Sequence, residues 1–289
     1  MKKKISIAII AILMLLGNNQ VVSQTDEMFQ SDKLSTLWKT ADILTTSESV
    51  CYEPERKVLF VSCINGNPTE KDGNGFIAML SLNGDIISHK WVTGLNAPKG
   101  MGIYNGNLFV TDIDRVVELN IDKAALVKEY QVENAKFLND ITIDPVGNVY
   151  ISDMVTNKIH RIYKGIVETW LDDNQLKGTN GLFYEDKEIL AGTKSGIFSI
   201  RIEDKRIWQS VKINGGIDGL ESDGKGNYII SDWSGKIQLV NPESEPVLLL
   251  NTTSEGINAA DIEFIIDRDL LLVPTFSDNR VSAYELKEE

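Results

Sequence analysis

Leu59-Phe60-Val61-Ser62 is the stretch on which the fold turns. Three apolar residues suited to a pleated strand end on a small hydroxyl side chain. The form returns at Leu108-Phe109-Val110-Thr111, Val149-Tyr150-Ile151-Ser152, Ile189-Leu190-Ala191-Gly192, Tyr228-Ile229-Ile230-Ser231 and Leu271-Leu272-Val273-Pro274. Successive copies lie 49, 41, 40, 39 and 43 residues apart, the period of a four-stranded propeller blade. Turn signals separate the strands at Asn83-Gly84-Asp85, Asn105-Gly106-Asn107, Pro145-Val146-Gly147-Asn148 and Asp223-Gly224-Lys225-Gly226-Asn227. No window beyond the N-terminal segment shows a long helical period with caps. These features predict an all-β protein, a six-bladed β-propeller spanning residues 35–289. The chain after Ala260 has room for about three strands at the usual strand length. The stretch 35–43, with Leu37 and Trp38, is therefore expected to close the last blade as its outer strand.

Working outward, Lys2, Lys3 and Lys4 precede an apolar run over residues 5–16, and the small residues Val21 and Ser23 suit a cleavage site. Residues 1–23 are thus expected to be a signal peptide and 24–34 an N-terminal segment. The mature chain would be exported to a periplasmic or extracellular space, with no stable membrane anchor after cleavage. The net charge of −13 opposes binding to nucleic acid. Two cysteines and two histidines exclude a disulfide-stapled fold, a Cys/His zinc cluster and most histidine-based catalysis. Export would permit a Cys51–Cys63 bridge, but a hairpin across Pro54-Glu55-Arg56 sets Cys51 opposite Phe60 and Cys63 opposite Glu48. In that register the thiols lie too far apart to join. His89 and His160 fall away from the positions that follow.

Aligning the units on their first apolar strand puts Glu48, Lys99, Asn139, Asn180, Asp218 and Ala260 in equivalent slots. Their contexts agree in Lys99-Gly100-Met101, Asn139-Asp140-Ile141, Asn180-Gly181-Leu182 and Asp218-Gly219-Leu220. Each Asn-Gly or Asp-Gly pair alone reads more readily as a turn than as a ligand. Taken together, the slots face one another across a propeller channel, because the first strand of each blade lines it. Two carboxylates and two amide carbonyls converging there suit a hard divalent cation. The loops after the second strands would overhang this ring: 65–74, 112–115, 153–157, 194–195, 233–235 and 276–279. Trp233 and Phe276 could form an apolar wall or pack between blades.

Over the whole chain from about Ser35, these residues resemble the senescence marker protein/gluconolactonase family, also called the regucalcin family, of six-bladed propeller hydrolases. Glu48 matches the metal-binding Glu that opens the family's first blade. Asn139, Asp140, Asp144, Pro145 and Gly147 match its Asn-Asp pair and Asp-Pro-x-Gly turn. Residues 180–182 match its Asn-Gly-Leu motif, and Asp218, Gly219, Gly226 and Asn227 match its Asp-Gly motif and following hairpin. Phe137 stands where sugar-lactonase members often carry an Arg. The resemblance implies that Glu48, Asn180 and Asp218 hold one divalent ion, with Asn139 on the metal or on substrate and water. Ca2+ is foremost, with Mg2+, Zn2+ or Mn2+ as alternatives.

The implied activity is metal-dependent hydrolysis of a small-molecule lactone or related ester. Asp218 is the expected base, ionised at working pH, and Lys99 is expected to hold a substrate carboxylate or developing oxyanion. Without a metal, Lys99 would instead neutralise Glu48 and Asp218. Two other readings remain open. Residues 149–163 and 271–284 also resemble NHL-type interaction repeats, which would make the chain a non-catalytic binder of a protein or glycan. A phosphotriester hydrolase could use the same ion, since fold does not fix substrate. No Gly-x-Ser-x-Gly elbow and no phosphate-binding glycine loop occurs in the sequence.

Overall fold

The structure is a computed structural model that describes residues 27–287. The expected signal peptide lies outside the described residues. Six antiparallel sheets follow one another along the chain, each a meander running outward from its first strand. Blade 1 comprises Ser47–Glu53, Val58–Cys63, Gly75–Ser81 and Ile86–Leu95. Blade 2 comprises Pro98–Tyr104, Asn107–Asp112, Arg115–Asn120 and Ala125–Gln131. Blade 3 comprises Leu138–Ile143, Val149–Asp153, Lys158–Tyr163 and Ile166–Asp172. Blade 4 comprises Leu182–Glu185, Glu188–Thr193, Gly196–Arg201 and Ile207–Lys212. Blade 5 comprises Leu220–Ser222, Tyr228–Asp232, Lys236–Asn241 and Ser244–Asn251. Blade 6 contributes Glu263–Ile265, Leu270–Pro274 and Val281–Leu286. The first strand of each blade packs against the first strand of the next, and that of blade 6 returns to that of blade 1. The ring is therefore closed, and its inner edges are the short ones that the first strands present to its axis.

Leu34–Lys39 supplies the outer strand of blade 6, pairing antiparallel with Val281–Leu286. It is shorter than the expected 35–43 and starts one residue earlier. Phe29–Gln30, within the segment read as lying outside the propeller, adds a fifth strand to blade 5 through Ser244–Asn251. Trp38 anchors the closure by donating from its indole nitrogen to the Leu82 carbonyl at 3.1 Å. Gly84 is required there twice over: its φ is +82°, and a Cβ would sit 2.5 Å from the Trp38 ring.

The core is divided among the seams between blades. Among the described residues, six of the seven apolar clusters lie one between each pair of neighbouring blades, including the closing pair of blades 6 and 1, and the seventh is the small group Ile64, Ala97 and Ile113 with Phe276 packed against it. This explains why the diagnostic strands read as unbroken apolar runs. Side chains alternate from face to face along a strand, and both faces of every blade are covered. In Val58–Cys63, residues Leu59, Val61 and Cys63 enter the seam with blade 6, while Val58 and Phe60 enter the seam with blade 2.

The same alternation keeps the cysteines apart. Cys51 belongs to the seam with blade 2 and Cys63 to the seam with blade 6, on opposite faces of blade 1. Both are free and buried. Cys51 pairs with Phe60 as expected, but Cys63 pairs with Ser47 rather than Glu48. The register slips there because Glu48 sits in a β-bulge between Ser47 and Ser49. Among the described residues no helix is long and apolar enough to cross a membrane.

Candidate active site

The bulge at Glu48 recurs around the ring. The pairing of the first two strands is interrupted between Pro98 and Met101 in blade 2 and between Leu138 and Ile141 in blade 3. A bulge puts two residues opposite one and re-aims a side chain. Its extra N–H needs an acceptor, and the hydroxyl that ends the sequence repeat supplies it. Ser62 Oγ accepts from Ser49 N at 3.0 Å, Ser152 Oγ from Asp140 N at 2.9 Å, and Ser231 Oγ from Gly219 N at 2.7 Å. In blade 4, where Gly192 replaces the hydroxyl, its own backbone bonds Asn180 N at 2.9 Å and Gly181 O at 2.8 Å.

The Asn-Gly and Asp-Gly pairs are thus not turns. Gly100, Gly181 and Gly219 lie in extended chain, and each is glycine because the next blade passes too close for a Cβ. A Cβ at Gly100 would lie 2.5 Å from the Asn139 carbonyl oxygen. One at Gly181 would lie 2.6 Å from the Asp218 carbonyl oxygen, and one at Gly219 2.5 Å from Ile262 N. This tight passage sets the diameter of the ring of side chains just before each glycine.

Glu48, Lys99, Asn139, Asn180 and Asp218 all line one cavity of about 340 Å³, joined by Ile64, Pro68, Phe137, Met154, Trp233 and Phe276. The five polar residues are each at least nine-tenths buried. Ala260, in the sixth slot, is fully buried and is not among the lining residues. Burial is the main force on the acids. It drives the Glu48 carboxyl well above the usual carboxylate range, reinforced by the neighbouring Asp218 and opposed by Lys99. Asp218 is pushed up to about 7, first by burial, against a lowering hydrogen bond from the Asn180 amide nitrogen. Its carboxyl is therefore poised at neutrality, higher than the ordinary value assumed for it from sequence. Glu48 Oε2 is buried without a hydrogen-bond partner.

Lys99 is held differently from either sequence expectation. Its ammonium donates to the Pro68 carbonyl at 3.1 Å and the Ala97 carbonyl at 2.9 Å, and lies 4.5 Å from the centre of the Phe137 ring. Desolvation lowers its pKa to about 8, with Glu48 and Asp112 resisting. The ion senses the acids, but its hydrogen bonds go to carbonyl oxygens.

Further acids follow the channel beneath the ring. Asp140 accepts from Ile141 N and from Leu182 N of blade 4, both at 2.6 Å. Asp261 accepts from Ser49 Oγ at 2.6 Å, and Glu263 from Tyr52 N at 2.9 Å, both across the seam to blade 1. Burial raises Asp140 and Glu263 to about 7 and Asp261 well above its usual range. Sequence alignment of the slots did not single these groups out, although Asp140 sits beside Asn139 in the quoted motif.

The overhanging loops divide. Met154, Pro68, Trp233 and Phe276 reach the cavity, and Trp233 and Phe276 meet edge to face with centroids 5.6 Å apart. Residues 194–195 and 112–115 do not line it. Asp112 and Asp153 are fully buried and serve the backbone instead, Asp112 also pairing with the Arg115 guanidinium. Asp112 accepts from Asn96 N and Ala97 N, and Asp153 from Lys136 N and Phe137 N, which fixes the entries to Lys99 and Asn139. His89 bonds the Ile43 carbonyl and His160 is buried in the third strand of blade 3; neither touches the cavity.

The donor set fits a hard cation. Two carboxylates and two amides meet at one end of the channel, and one carboxylate oxygen has no protein partner. Among the described residues no three His, Cys, Asp or Glu side chains gather closely enough for a metal, so the oxygens of Asn139 and Asn180 would have to complete the set.

The fold has relatives among solved structures. A catalytically inactive histidine-to-alanine form of virginiamycin B lyase from Staphylococcus aureus, with quinupristin, aligns at TM-score 0.61 and 15% identity over 88% of this chain and 99% of that one. A streptogramin B lyase aligns at 0.62 and 12% identity, covering 88% and 97%. A candidate gluconolactonase aligns at 0.62 and 14% identity, covering 89% and 93%. At such identities the likeness shows the propeller fold. No protein-family model matches the chain, and no curated protein matches it in sequence.

Proposed function

We propose that the chain is a metal-dependent hydrolase of a small-molecule lactone or related ester. The observation that carries the reading is the unpartnered Glu48 Oε2, buried in a cavity that Asp218, Asn139 and Asn180 also line. An acid is buried without a partner only at considerable cost, and a ligand that binds there offsets it. Glu48, Asn139, Asn180 and Asp218 would hold one divalent cation, Ca2+ foremost, whose charge would polarise a carbonyl oxygen and favour the oxyanion formed from it.

The chain's own groups supply the rest. Asp218, near neutrality, is suited to accept a proton from the attacking water and return it to the leaving oxygen. The Asn180 amide nitrogen holds one Asp218 oxygen and so orients the other. Lys99 keeps a positive charge on the wall of a site shielded from bulk water, where it counts for more than it would in solvent. Proximity then brings water and carbonyl together in one small volume.

Solved neighbours of the fold include a candidate gluconolactonase and two lyases, but also a WD40 propeller domain and a nidogen/laminin complex, so the enzyme reading rests on the site itself. Hydrolysis is preferred to the lyase reading because that virginiamycin B lyase loses its catalysis with a histidine, and neither histidine here lines the cavity. The test is metal content together with lactone turnover, measured on the wild type and on Glu48→Gln. We expect one bound divalent ion in the wild type, and in the variant both metal and turnover reduced at least tenfold. A wild type that takes up no divalent ion yet is fully active would refute the reading.

A further inference from the structure

The polar and apolar linings of the cavity come from different parts of the chain. Its acids and amides sit on or immediately before the first strands, whereas Ile64, Pro68, Met154, Trp233 and Phe276 come from the loops after the second strands, with Phe137 entering just before Asn139. Beyond the ring, then, this wall is hydrocarbon, thioether and aromatic ring. Among the remaining lining residues the only side-chain donors are the Lys99 ammonium and the single indole N–H of the half-exposed Trp233. The three N–H bonds of Lys99 face the Pro68 carbonyl, the Ala97 carbonyl and the Phe137 ring, so none is left over for a ligand hydroxyl.

From this we infer that the substrate is an uncharged lactone or ester whose body, beyond the reacting carbonyl, is a single aryl group or short alkyl chain rather than a polyhydroxylated sugar. The inference rests on the proposed hydrolase reading for what happens at the carbonyl, and on the wall alone for the body attached to it. A sugar lactone would bring several hydroxyls against a wall that offers them at most one side-chain donor, the Trp233 indole N–H. Each one stripped of water without a partner weakens binding by roughly 5- to 150-fold. An aryl group meets the reverse situation. Trp233 is half exposed, with an edge-to-face contact to Phe276, so a ring laid against it covers aromatic surface that water now touches. The volume of about 340 Å³ is at the small end for ligand pockets and suits one ring with one substituent.

The experiment measures binding separately from turnover. Lactams replace the ring oxygen by N–H and resist hydrolysis, so 5-phenyl-2-pyrrolidinone and gluconolactam serve as unreactive probes of the two bodies. Calorimetric titration of the full mature protein in Ca2+ should show the phenyl lactam binding at least thirtyfold more tightly. Trp233→Ala, at a half-exposed position that tolerates truncation, should weaken the phenyl lactam about tenfold and leave gluconolactam unchanged; a Tm within a degree or two of wild type confirms that the variant is folded. Equal or tighter binding of gluconolactam, binding of neither probe, or equal weakening of both by Trp233→Ala overturns the inference. Turnover of the two parent lactones separates it from the reading beneath. Sugar-lactone turnover in preference to the phenyl lactone would refute the wall argument and keep the hydrolase, while tight phenyl-lactam binding with no turnover of either lactone would refute the hydrolase and keep the wall.

Discussion

The Ser231 hydroxyl donates to the Ala260 carbonyl at 2.7 Å, across the seam between blades 5 and 6, while accepting from the bulged Gly219 N–H at 2.7 Å. One side chain thus fixes the backbone that presents Asp218 and ties it to the next blade. Thr111 makes the cross-blade half of this contact between blades 2 and 3, donating to the Asn139 carbonyl at 2.6 Å. Two of the hydroxyls in the sequence repeat, Thr111 and Ser231, thus stitch one blade to the next, while Ser62 and Ser152 brace the bulge within their own blade.

Ser231→Ala removes both bonds in a fully buried place and leaves two backbone groups unpaired. The expected cost is about 1–3 kcal/mol, and at about 2–4 °C per kcal/mol the Tm should fall by several degrees. Because the bulge also presents Asp218, metal affinity should weaken with it. Thermal melts and metal titrations check both, and an unchanged Tm would contradict the stitch.

Gly181→Ala tests close passage of the blades rather than turn conformation. The new methyl would meet the Asp218 carbonyl oxygen at 2.6 Å, and a backbone atom cannot swing away as a side chain could. Overpacking of this kind costs about 1–3 kcal/mol. Its distinguishing sign is a loss of metal binding at least tenfold, since the displaced residue is a proposed ligand. Were Gly181 merely a flexible turn residue, the substitution would affect neither property much.

That glycine shows what the sequence could convey. The repeat period, the hydroxyl at the strand end and the ring of slots were readable because they recur, and the strand that closes blade 6 was readable because the last unit is one strand short. Asn180-Gly181 and Asp218-Gly219 suggest turns locally; only the neighbouring blade, 38 residues away at the Asn180–Asp218 contact, explains the missing side chains. Asp112 and Asp153 looked like loop acids near the ring, yet full burial turns them to capping backbone N–H groups. Phe137 registered as a departure from a motif, and its place in the cavity wall depends on an entry loop that Asp153 holds. Asp261 and Glu263 went unmarked because their partners lie in another blade, and Asp140, quoted within a motif, gave no sign of its bond to Leu182 N of blade 4.

Those channel acids make stability depend on pH in a fixed direction. Asp140, Asp218 and Glu263 each have a folded value of about 7, above the range near 4 they would have in the unfolded chain. The folded state therefore binds protons more tightly. Stability from these groups is fully present below about pH 4 and is lost as pH rises through 7. With a chelator present, Tm should drop between pH 5 and pH 8. Adding millimolar Ca2+ should restore much of the loss at pH 8 and change little at pH 5, because a cation replaces the missing protons. A chelated protein whose Tm rises over the same interval would show that the acids are not buried as described.

Lys99→Met separates the charge on the cavity wall from the metal ligands. The substitution keeps most of the side-chain volume, removes the cation, and leaves the Pro68 and Ala97 carbonyls without their donor. Taking a positive charge away from Glu48 cannot weaken attraction for a divalent ion, so metal content should be unchanged or higher. Turnover should nevertheless fall about tenfold, because a charge near the developing oxyanion in a water-poor site is lost. The wild type carries a second sign of the same role. With its pKa lowered to about 8, Lys99 loses its proton just above neutrality, and the rate should decline above pH 8. That alkaline limb should be missing in Lys99→Met, while an acidic limb, where protons compete with the cation for Glu48 and Asp218, remains. If turnover and both limbs survive the substitution, Lys99 only holds the 65–74 loop through Pro68, and the positive charge has no part in the reaction.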